Sequence, residues 1–140
     1  MAAFEQGRRI KMGKIMVVDD NTVMLGFMTT LLELEGYAAV TVSRPEDIMP
    51  VTVAEQPDVI IMDVHLAEQD TLAILKELKN DPQLATIPII AVSGMDRSEE
   101  CQAIGVDEFM LKPFMPAKLL EKIERLRQSH LESMPAAERS

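Results

Sequence analysis

The chain has 140 residues and a formal net charge of −9 at pH 7, and 47% of its residues are hydrophobic. This length fits one globular domain, and the acidic balance argues against a nucleic-acid-binding surface, which needs clustered lysine and arginine. No apolar run approaches the roughly 20 residues that cross a bilayer, so we expect no membrane insertion. The single cysteine, Cys101, excludes an internal disulfide and suits a reducing cytoplasm.

Hydrophobic periodicity predicts strands that alternate with helices along most of the chain. Short apolar runs bounded by turn-forming residues are typical of strands that are buried on both faces. The predicted strands cover residues 15–18, 39–42, 59–63, 89–92 and 109–111. Apolar residues at helical spacing predict five helices that start near Asn21, Pro45, Asp70, Asp96 and Pro116.

Capping residues indicate where several of these helices begin and end. Asp70 is placed to cap the third helix, and Asp96 with Glu99 has the spacing of a capping box. Gly105 soon ends the fourth helix, which is therefore expected to be short. We expect a flexible N-terminal extension, one domain and a flexible C-terminal tail over residues 1–13, 14–129 and 130–140.

This alternation predicts a doubly wound α/β domain with a five-stranded parallel sheet between two layers of helices. The flavodoxin-like strand order 2-1-3-4-5 places the first and third strands side by side. Asp19 and Asp20 follow the first strand, and Asp63 ends the third. We therefore expect these three carboxylates to converge at one edge of the sheet.

The converging side chains have the chemistry that phosphoryl transfer requires. Crowded carboxylates repel one another, and a hard divalent cation such as Mg²⁺ relieves the repulsion while keeping positions open for phosphate oxygens. The fourth strand ends in the hydroxyl of Ser93, and the fifth is followed by the ammonium of Lys112. Each residue alone would be an ordinary cap or surface residue, but together they predict a carboxylate nucleophile, Asp63, in a charge-balanced pocket.

The motifs at these strand ends also carry a family resemblance. The matching segments are Val17-Val18-Asp19-Asp20, Met62-Asp63, Ser93-Gly94 and Lys112-Pro113. In this order and spacing they resemble the receiver domain of two-component response regulators, the CheY-like fold, over roughly residues 14–129. The resemblance implies that Asp63 accepts a phosphoryl group from a sensor histidine kinase or phosphotransfer domain, and that a downstream protein target reads the result.

The same resemblance implies a role for each matching residue. Asp20 and Asp63 would bind Mg²⁺ directly together with the backbone carbonyl of His65, while Asp19 would act through water. Ser93 would hydrogen-bond the phosphoryl group, and Lys112 would pair with Asp63 or its phosphate. Phe109, three residues before Lys112, would be the aromatic residue that turns inward when Ser93 moves towards the phosphate.

Two further residues are expected to flank the phosphoryl group. His65 follows Asp63 by two residues, and Met95 follows Ser93 by two. We interpret them as residues that restrict or position the attacking water and so set the lifetime of the phosphoryl state. The alternative for His65 is a side chain that simply points into solvent.

The chain departs from the family pattern in the loop after Asp63 and in the fourth helix. Ala67 and Thr71 occupy positions where the family usually has proline and glycine, while Asp70 fits the pattern. These differences predict a loop of different shape and greater mobility. Gly94 replaces a usual alanine, and the segment from Ser93 to Lys112 is about three residues short, so the fourth helix is expected to be short or partly irregular.

Other functions remain open at this stage. A small Mg²⁺-dependent phosphatase with an aspartyl nucleophile would need a second carboxylate where the chain has His65. Flavin binding is disfavoured because Asp19 and Asp20 would repel the flavin phosphate. A receiver that binds a partner without being phosphorylated is the third alternative. The sequence leaves the kinase, the target, any further domain and the oligomeric state open, a homodimer included.

Overall fold

The computed structural model describes residues 13–133. The expected N-terminal extension, apart from Gly13, and residues 134–140 of the expected tail lie outside this part of the chain. In the described part no helix is both long enough and apolar enough to cross a membrane.

The core of the molecule is a five-stranded parallel sheet. Its strands are β1 (Lys14–Val18), β2 (Ala38–Val42), β3 (Val59–Asp63), β6 (Ile89–Ser93) and β7 (Glu108–Leu111), while the short strands β4 and β5 (residues 65–66 and 69–70) pair separately. The order in the five-stranded sheet is β2-β1-β3-β6-β7. Every neighbouring pair is parallel, with Val18 opposite Met62 and Asp63 opposite Val92. The predicted fold and the adjacency of the first and third strands are confirmed.

Five helices cover the two faces of the sheet. They are α1 (Thr22–Leu34), α2 (Pro45–Glu55), α3 (Leu72–Asn80), α4 (Ser98–Ile104) and α5 (Pro116–Ser133). Helix α4 has seven residues, as expected from the short segment between Ser93 and Lys112. Helix α5 continues through Ser133, four residues beyond the predicted end of the domain at residue 129.

The central strand β3 separates two apolar layers. Its alternate residues point to opposite faces, because successive side chains in a strand alternate. Val59 and Ile61 belong to a core cluster with buried residues of α1 and α5. Ile60 and Met62 belong to a second cluster with residues of α2 and α3. All five residues of β3 are buried, which fixes the strand that ends in Asp63.

The segment after Asp63, expected as a loop, forms an antiparallel hairpin of β4 (His65–Leu66) and β5 (Gln69–Asp70). Its two turn residues have left-handed backbones, with φ of 49° at Ala67 and 66° at Glu68. Paired positive φ angles are typical of the tight turns that join hairpin strands. The buried side chain of Leu66 fixes the hairpin to the cluster on the α3 side.

Two helix starts also differ from expectation. The capping box predicted for Asp96 and Glu99 is wrong, because Arg97 is the residue at the cap and α4 begins at Ser98. The Asp96 carboxylate instead accepts from the backbone N–H and the hydroxyl of Ser98. At α3 the cap position belongs to Thr71, while Asp70 accepts from the N–H of Leu72, so Asp70 supports this helix from one residue further out.

Candidate functional site

The carboxyl ends of β1 and β3 bring three carboxylates together. Asp19, Asp20 and Asp63 each place one oxygen within 4.8 Å of the others. Asp19 and Asp63 are only 4% and 7% exposed, so burial intensifies their mutual repulsion, whereas Asp20 is exposed at the rim. The convergence predicted from strand order is therefore present in the structure.

Lys112 partly offsets this negative charge from the loop after β7. Its Nζ donates to Asp63 Oδ2 at 2.8 Å and to Asp19 Oδ2 at 3.3 Å. Burial alone would lower the pKa of Lys112, but the hydrogen bond and charge of Asp63, with a contribution from Asp19, raise that pKa above its ordinary value. Lys112 is thus held as an ammonium beside the candidate nucleophile.

Backbone N–H groups orient each of the three carboxylates. The N–H of Asn21 donates to Asp19 Oδ1 at 2.9 Å, and the N–H of His65 donates to Asp63 Oδ1 at 3.1 Å. The exposed Asp20 accepts from the N–H of Ala67 in the hairpin turn at 2.9 Å. Hydrogen bonds of this kind orient a carboxylate and so determine the direction of the lone pairs that remain available to a ligand.

Three hard oxygen donors in this arrangement fit Mg²⁺. The ion prefers octahedral oxygen coordination, usually takes only one or two protein carboxylates and keeps several waters. The one ammonium of Lys112 leaves the three carboxylates with excess negative charge. The donor set and its charge are thus those of a divalent-cation site.

Ser93 lies at the end of β6 and is 5% exposed. Its hydroxyl oxygen accepts from the N–H of Met95 at 3.1 Å, and its carbonyl accepts from the N–H of Lys112 at 2.8 Å. The backbone therefore ties Ser93 directly to the residue that contacts Asp63. Met95 itself is 67% exposed, and His65 is exposed on the hairpin.

Phe109 occupies an intermediate position on β7. It is partly buried and packs against the small cluster of Val64, Ala91 and Cys101. It also lines a depression between β7 and α4, together with Cys101 and Val106. The ring thus has both an apolar contact surface beneath it and open space beside it.

Sequence reasoning missed two contacts that shape the site. Thr71 is fully buried, and its hydroxyl donates to the backbone carbonyls of Asp63 and Val64 at 3.0 and 3.1 Å. Arg97 donates to Asp70 at 2.7 Å and so joins the hairpin to the loop after Ser93. The departure from the family's usual glycine at position 71 is the signal in the sequence that points to the first of these contacts.

Comparison with known proteins places these residues in a family. The response regulator receiver domain matches residues 15–124. The chain is 31% identical to the alkaline phosphatase synthesis transcriptional regulatory protein PhoP of Bacillus subtilis, over 89% of this chain and 52% of that protein. It is 28% identical to the polar-differentiation response regulator DivK of Brucella anthropi, over 79% of this chain and 92% of that protein.

The chain thus spans about half the length of PhoP and 43% of a probable transcriptional regulator ycf27 of Guillardia theta, to which it is 28% identical over 79% of its own residues.

Solved structures agree on the architecture. The signal receiver domain of a signal transduction histidine kinase from Syntrophus aciditrophicus matches with a TM-score of 0.78 and 27% identity, over 89% of this chain and 96% of that one. The chemotaxis response regulator CheY4 of Vibrio cholerae matches with a TM-score of 0.76 and 24% identity, over 82% and 98% of the respective chains. At 24% identity the match to CheY4 supports the fold alone.

Proposed function

The chain belongs to the response regulator receiver family, and on this premise we propose that it accepts a phosphoryl group on Asp63 and changes its protein contacts as a result. The observation that carries the proposal is the 2.8 Å contact between Lys112 Nζ and Asp63 Oδ2 inside a cluster of three carboxylates. Receiver domains are signalling proteins rather than conventional enzymes. The reaction that we propose for the chain itself is slow self-catalysed phosphorylation and dephosphorylation of Asp63.

The proposed transfer uses the Asp63 carboxylate as nucleophile. One of its oxygens forms a bond to phosphorus while the bond from phosphorus to the donor breaks, and the donor leaves with that electron pair. Lys112 exchanges its contact with the free carboxylate for one with the phosphoryl oxygens, so charge stays balanced throughout. Hydrolysis later reverses the modification when water attacks phosphorus and the Asp63 carboxylate leaves.

The residues proposed to hold Mg²⁺ are Asp20, Asp63 and the backbone carbonyl of His65, with Asp19 acting through water. When bound there, the ion would neutralise charge that develops on the phosphoryl oxygens. The protein's own contribution is orientation. Each of the three carboxylates already receives a backbone N–H, and this reduces the rearrangement that the site needs.

The proposed switch couples Ser93 to Phe109. A phosphoryl group on Asp63 supplies an acceptor for the Ser93 hydroxyl and draws it inward. Ser93 lies on β6 opposite Leu111, and Phe109 lies opposite Ala91. Ser93 and Phe109 are therefore close diagonal neighbours on two paired strands. The contact of Phe109 with Ala91 and Cys101 supplies the apolar surface on which the ring can settle in a second position.

Partners of receiver domains are histidine kinases and downstream targets, and for this chain we propose a phosphohistidine-bearing protein as the donor. Large apolar side chains are exposed near the same edge of the sheet as Asp63, at Val23, Met95, Leu111 and Met115. Exposed apolar groups around a polar centre are typical of protein contact surfaces. They suit a donor that must approach a nearly buried carboxylate closely.

The test is phosphorylation by a small donor followed by intact-mass measurement. With Mg²⁺ and acetyl phosphate, the protein is expected to gain one phosphoryl group, and Asp63→Asn is expected to abolish the gain. Asp47→Asn, which changes an exposed carboxylate on α2 that pairs with Arg44 on the surface, is the matched control and should gain the group normally.

Three outcomes separate the competing functions. No mass gain by the wild type, with Mg²⁺ present, would identify a receiver that binds partners without phosphorylation. Steady hydrolysis of an added phosphoester would identify a phosphatase. A gain that persists in Asp63→Asn would place the acceptor on another residue and refute the assignment.

A further inference from the structure

Thr71 is a buried polar residue for which the phosphoryl-transfer scheme above has no role. It lies between the hairpin and α3 and is 0% exposed. Its hydroxyl donates to the carbonyl of Asp63 at 3.0 Å and to that of Val64 at 3.1 Å. A hydroxyl carries a single proton, so the two carbonyls share one bifurcated donor.

These carbonyls lie where the strand ladder stops. The N–H of Val64 still donates to Val92 of β6 at 2.9 Å, but the chain then leaves the sheet and enters the hairpin. Val64 is 0% exposed, so solvent is poorly placed to serve its backbone. A buried carbonyl without a hydrogen-bond donor destabilises the folded state. Thr71 supplies donors here, because its N–H lies 2.8 Å from the Val64 carbonyl oxygen and adds to the contacts of its hydroxyl.

The contacts hold two successive peptide planes at both ends. The plane after Asp63 is held by Thr71 at its carbonyl and by Val92 at its N–H. The plane after Val64 is held by Thr71 at its carbonyl, and its N–H, that of His65, donates to Asp63 Oδ1 at 3.1 Å. Because a peptide group is rigid and planar, fixing its carbonyl fixes the direction of its N–H.

The hydrogen bonds of Thr71 also bear on Asp20, the exposed carboxylate of the cluster. Val64 and Thr71 lie at the two ends of the hairpin, and the two hydrogen bonds that Thr71 donates to the Val64 carbonyl close it. At its tip the N–H of Ala67 donates to Asp20 Oδ2. Loosening the base of the hairpin therefore loosens a contact to a second carboxylate of the cluster.

We propose that Thr71 is a positioning residue for the phosphoacceptor: its hydroxyl locks the backbone from Asp63 to His65 and thereby aims the His65 N–H at the Asp63 carboxylate. The inference rests on the proposed function of Asp63 as acceptor. A glycine at position 71 has no side chain and could not donate the hydrogen bonds of this hydroxyl.

The test compares Thr71→Val, which replaces the hydroxyl by a methyl group, with Thr71→Ser, which keeps it. Thr52→Val is the matched control, because Thr52 is also 0% exposed and its hydroxyl donates to a backbone carbonyl, that of Ile48, in α2 away from the cluster. Two quantities are measured for each variant: hydrogen exchange of the His65 amide in the unphosphorylated protein, and the rate of phosphorylation by acetyl phosphate with Mg²⁺.

Thr71→Val is expected to accelerate exchange of the His65 amide and to slow phosphorylation, each by about tenfold, the factor that one lost hydrogen bond typically produces. Thr71→Ser should stay within about twofold of the wild type in both measurements. Thr52→Val should lower the unfolding temperature but leave both quantities within the same limits. If Thr71→Val fails to fold, Thr71→Ala takes its place under the same criteria.

The proposal is overturned if Thr71→Val, or its replacement, changes only the unfolding temperature and thus behaves as Thr52→Val does. It is also overturned if Thr71→Ser is as impaired as Thr71→Val, because the hydroxyl would then not be the cause. Failure of the proposed function is distinguishable: a wild-type protein that gains no phosphoryl group refutes that function, while His65 exchange still tests the positioning role.

Discussion

At the scale of single residues, the site is governed by an imbalance of charge in a partly buried pocket. Asp19 and Asp63 share one ammonium, that of Lys112, and Asp20 lies beside them and accepts from the backbone N–H of Ala67. Three carboxylates and one ammonium leave a net negative charge that water at the rim only partly screens. The pocket is therefore suited to a divalent cation and, once that is bound, to a phosphoryl group.

Two exposed side chains, those of His65 and Met95, allow a prediction about the lifetime of the phosphoryl state. Replacing His65 and Met95 together by alanine should accelerate loss of phosphate by roughly threefold or more, because smaller side chains restrict the approach of water less. The decay is followed by intact mass after the phosphodonor is removed.

Leu34→Ala is the control, since Leu34 is exposed at the far end of α1 from Asp20. It should leave the decay unchanged. An equal decay rate in the double variant and the wild type would eliminate a role for His65 and Met95.

At the scale of elements, the β4–β5 hairpin shapes the connection that follows Asp63. It joins Asp63 to α3 through a turn whose two residues, Ala67 and Glu68, both have positive φ. Residues other than glycine, asparagine and aspartate adopt this conformation at a cost in free energy. The hydrogen bonds of Ala67 to Asp20, of Thr71 to the Asp63 backbone and of Arg97 to Asp70 offset that cost.

The strain in this turn predicts that Glu68→Gly stabilises the protein. Glycine adopts a φ of 66° without a steric penalty, and the net gain in the free energy of unfolding should be about 0.5–1 kcal/mol after its greater chain entropy is subtracted. Urea denaturation followed by circular dichroism measures the change.

Glu77→Gly is the matched control, because it makes the same substitution at an exposed position inside helix α3. Glycine lacks helix propensity, so this variant should lose about 1 kcal/mol. A loss of stability in Glu68→Gly as well would show that the turn is not strained as its backbone angles indicate.

At the scale of the whole molecule, contacts between distant segments close the fold around the sheet. Tyr37, which follows α1 and is 5% exposed, donates from its hydroxyl to Glu124 of α5 at 2.8 Å. Burial, together with this hydrogen bond and the negative charge of Glu124, raises the pKa of Tyr37 to about 12. The protonated tyrosine is thus favoured in the folded state.

This shift predicts a loss of stability in strong alkali. Because the pKa of Tyr37 is higher in the folded than in the unfolded chain, its contribution is fully present below pH 10 and is lost as the pH rises towards 12. Relative to Tyr37→Phe, which cannot ionise, the wild type should lose on the order of 2–3 kcal/mol across that interval. Denaturant unfolding of both proteins at several pH values gives the difference, and a difference that does not change with pH would contradict the assignment.

The sequence by itself determined the alternation of strands and helices and, through strand order, the meeting of Asp19, Asp20 and Asp63. Both follow from burial, since a strand covered on both faces must be continuously apolar and its polar residues must stand at its end. The short α4 was likewise predictable, because the spacing between Ser93 and Lys112 limits its length. Local patterns of this kind can be recognised in the sequence alone.

Only the tertiary structure decided how the segment after Asp63 is shaped. Its hairpin depends on a bond from Ala67 to Asp20, 47 residues away in sequence, and on the buried hydroxyl of Thr71. The same applies to the start of α4, where Arg97 reaches across to Asp70. Such contacts join chemically ordinary residues from separate elements, so no local periodicity predicts them. Thr71, which stands where the family usually has glycine, is an example, because its hydroxyl donates to the backbone carbonyl of Asp63.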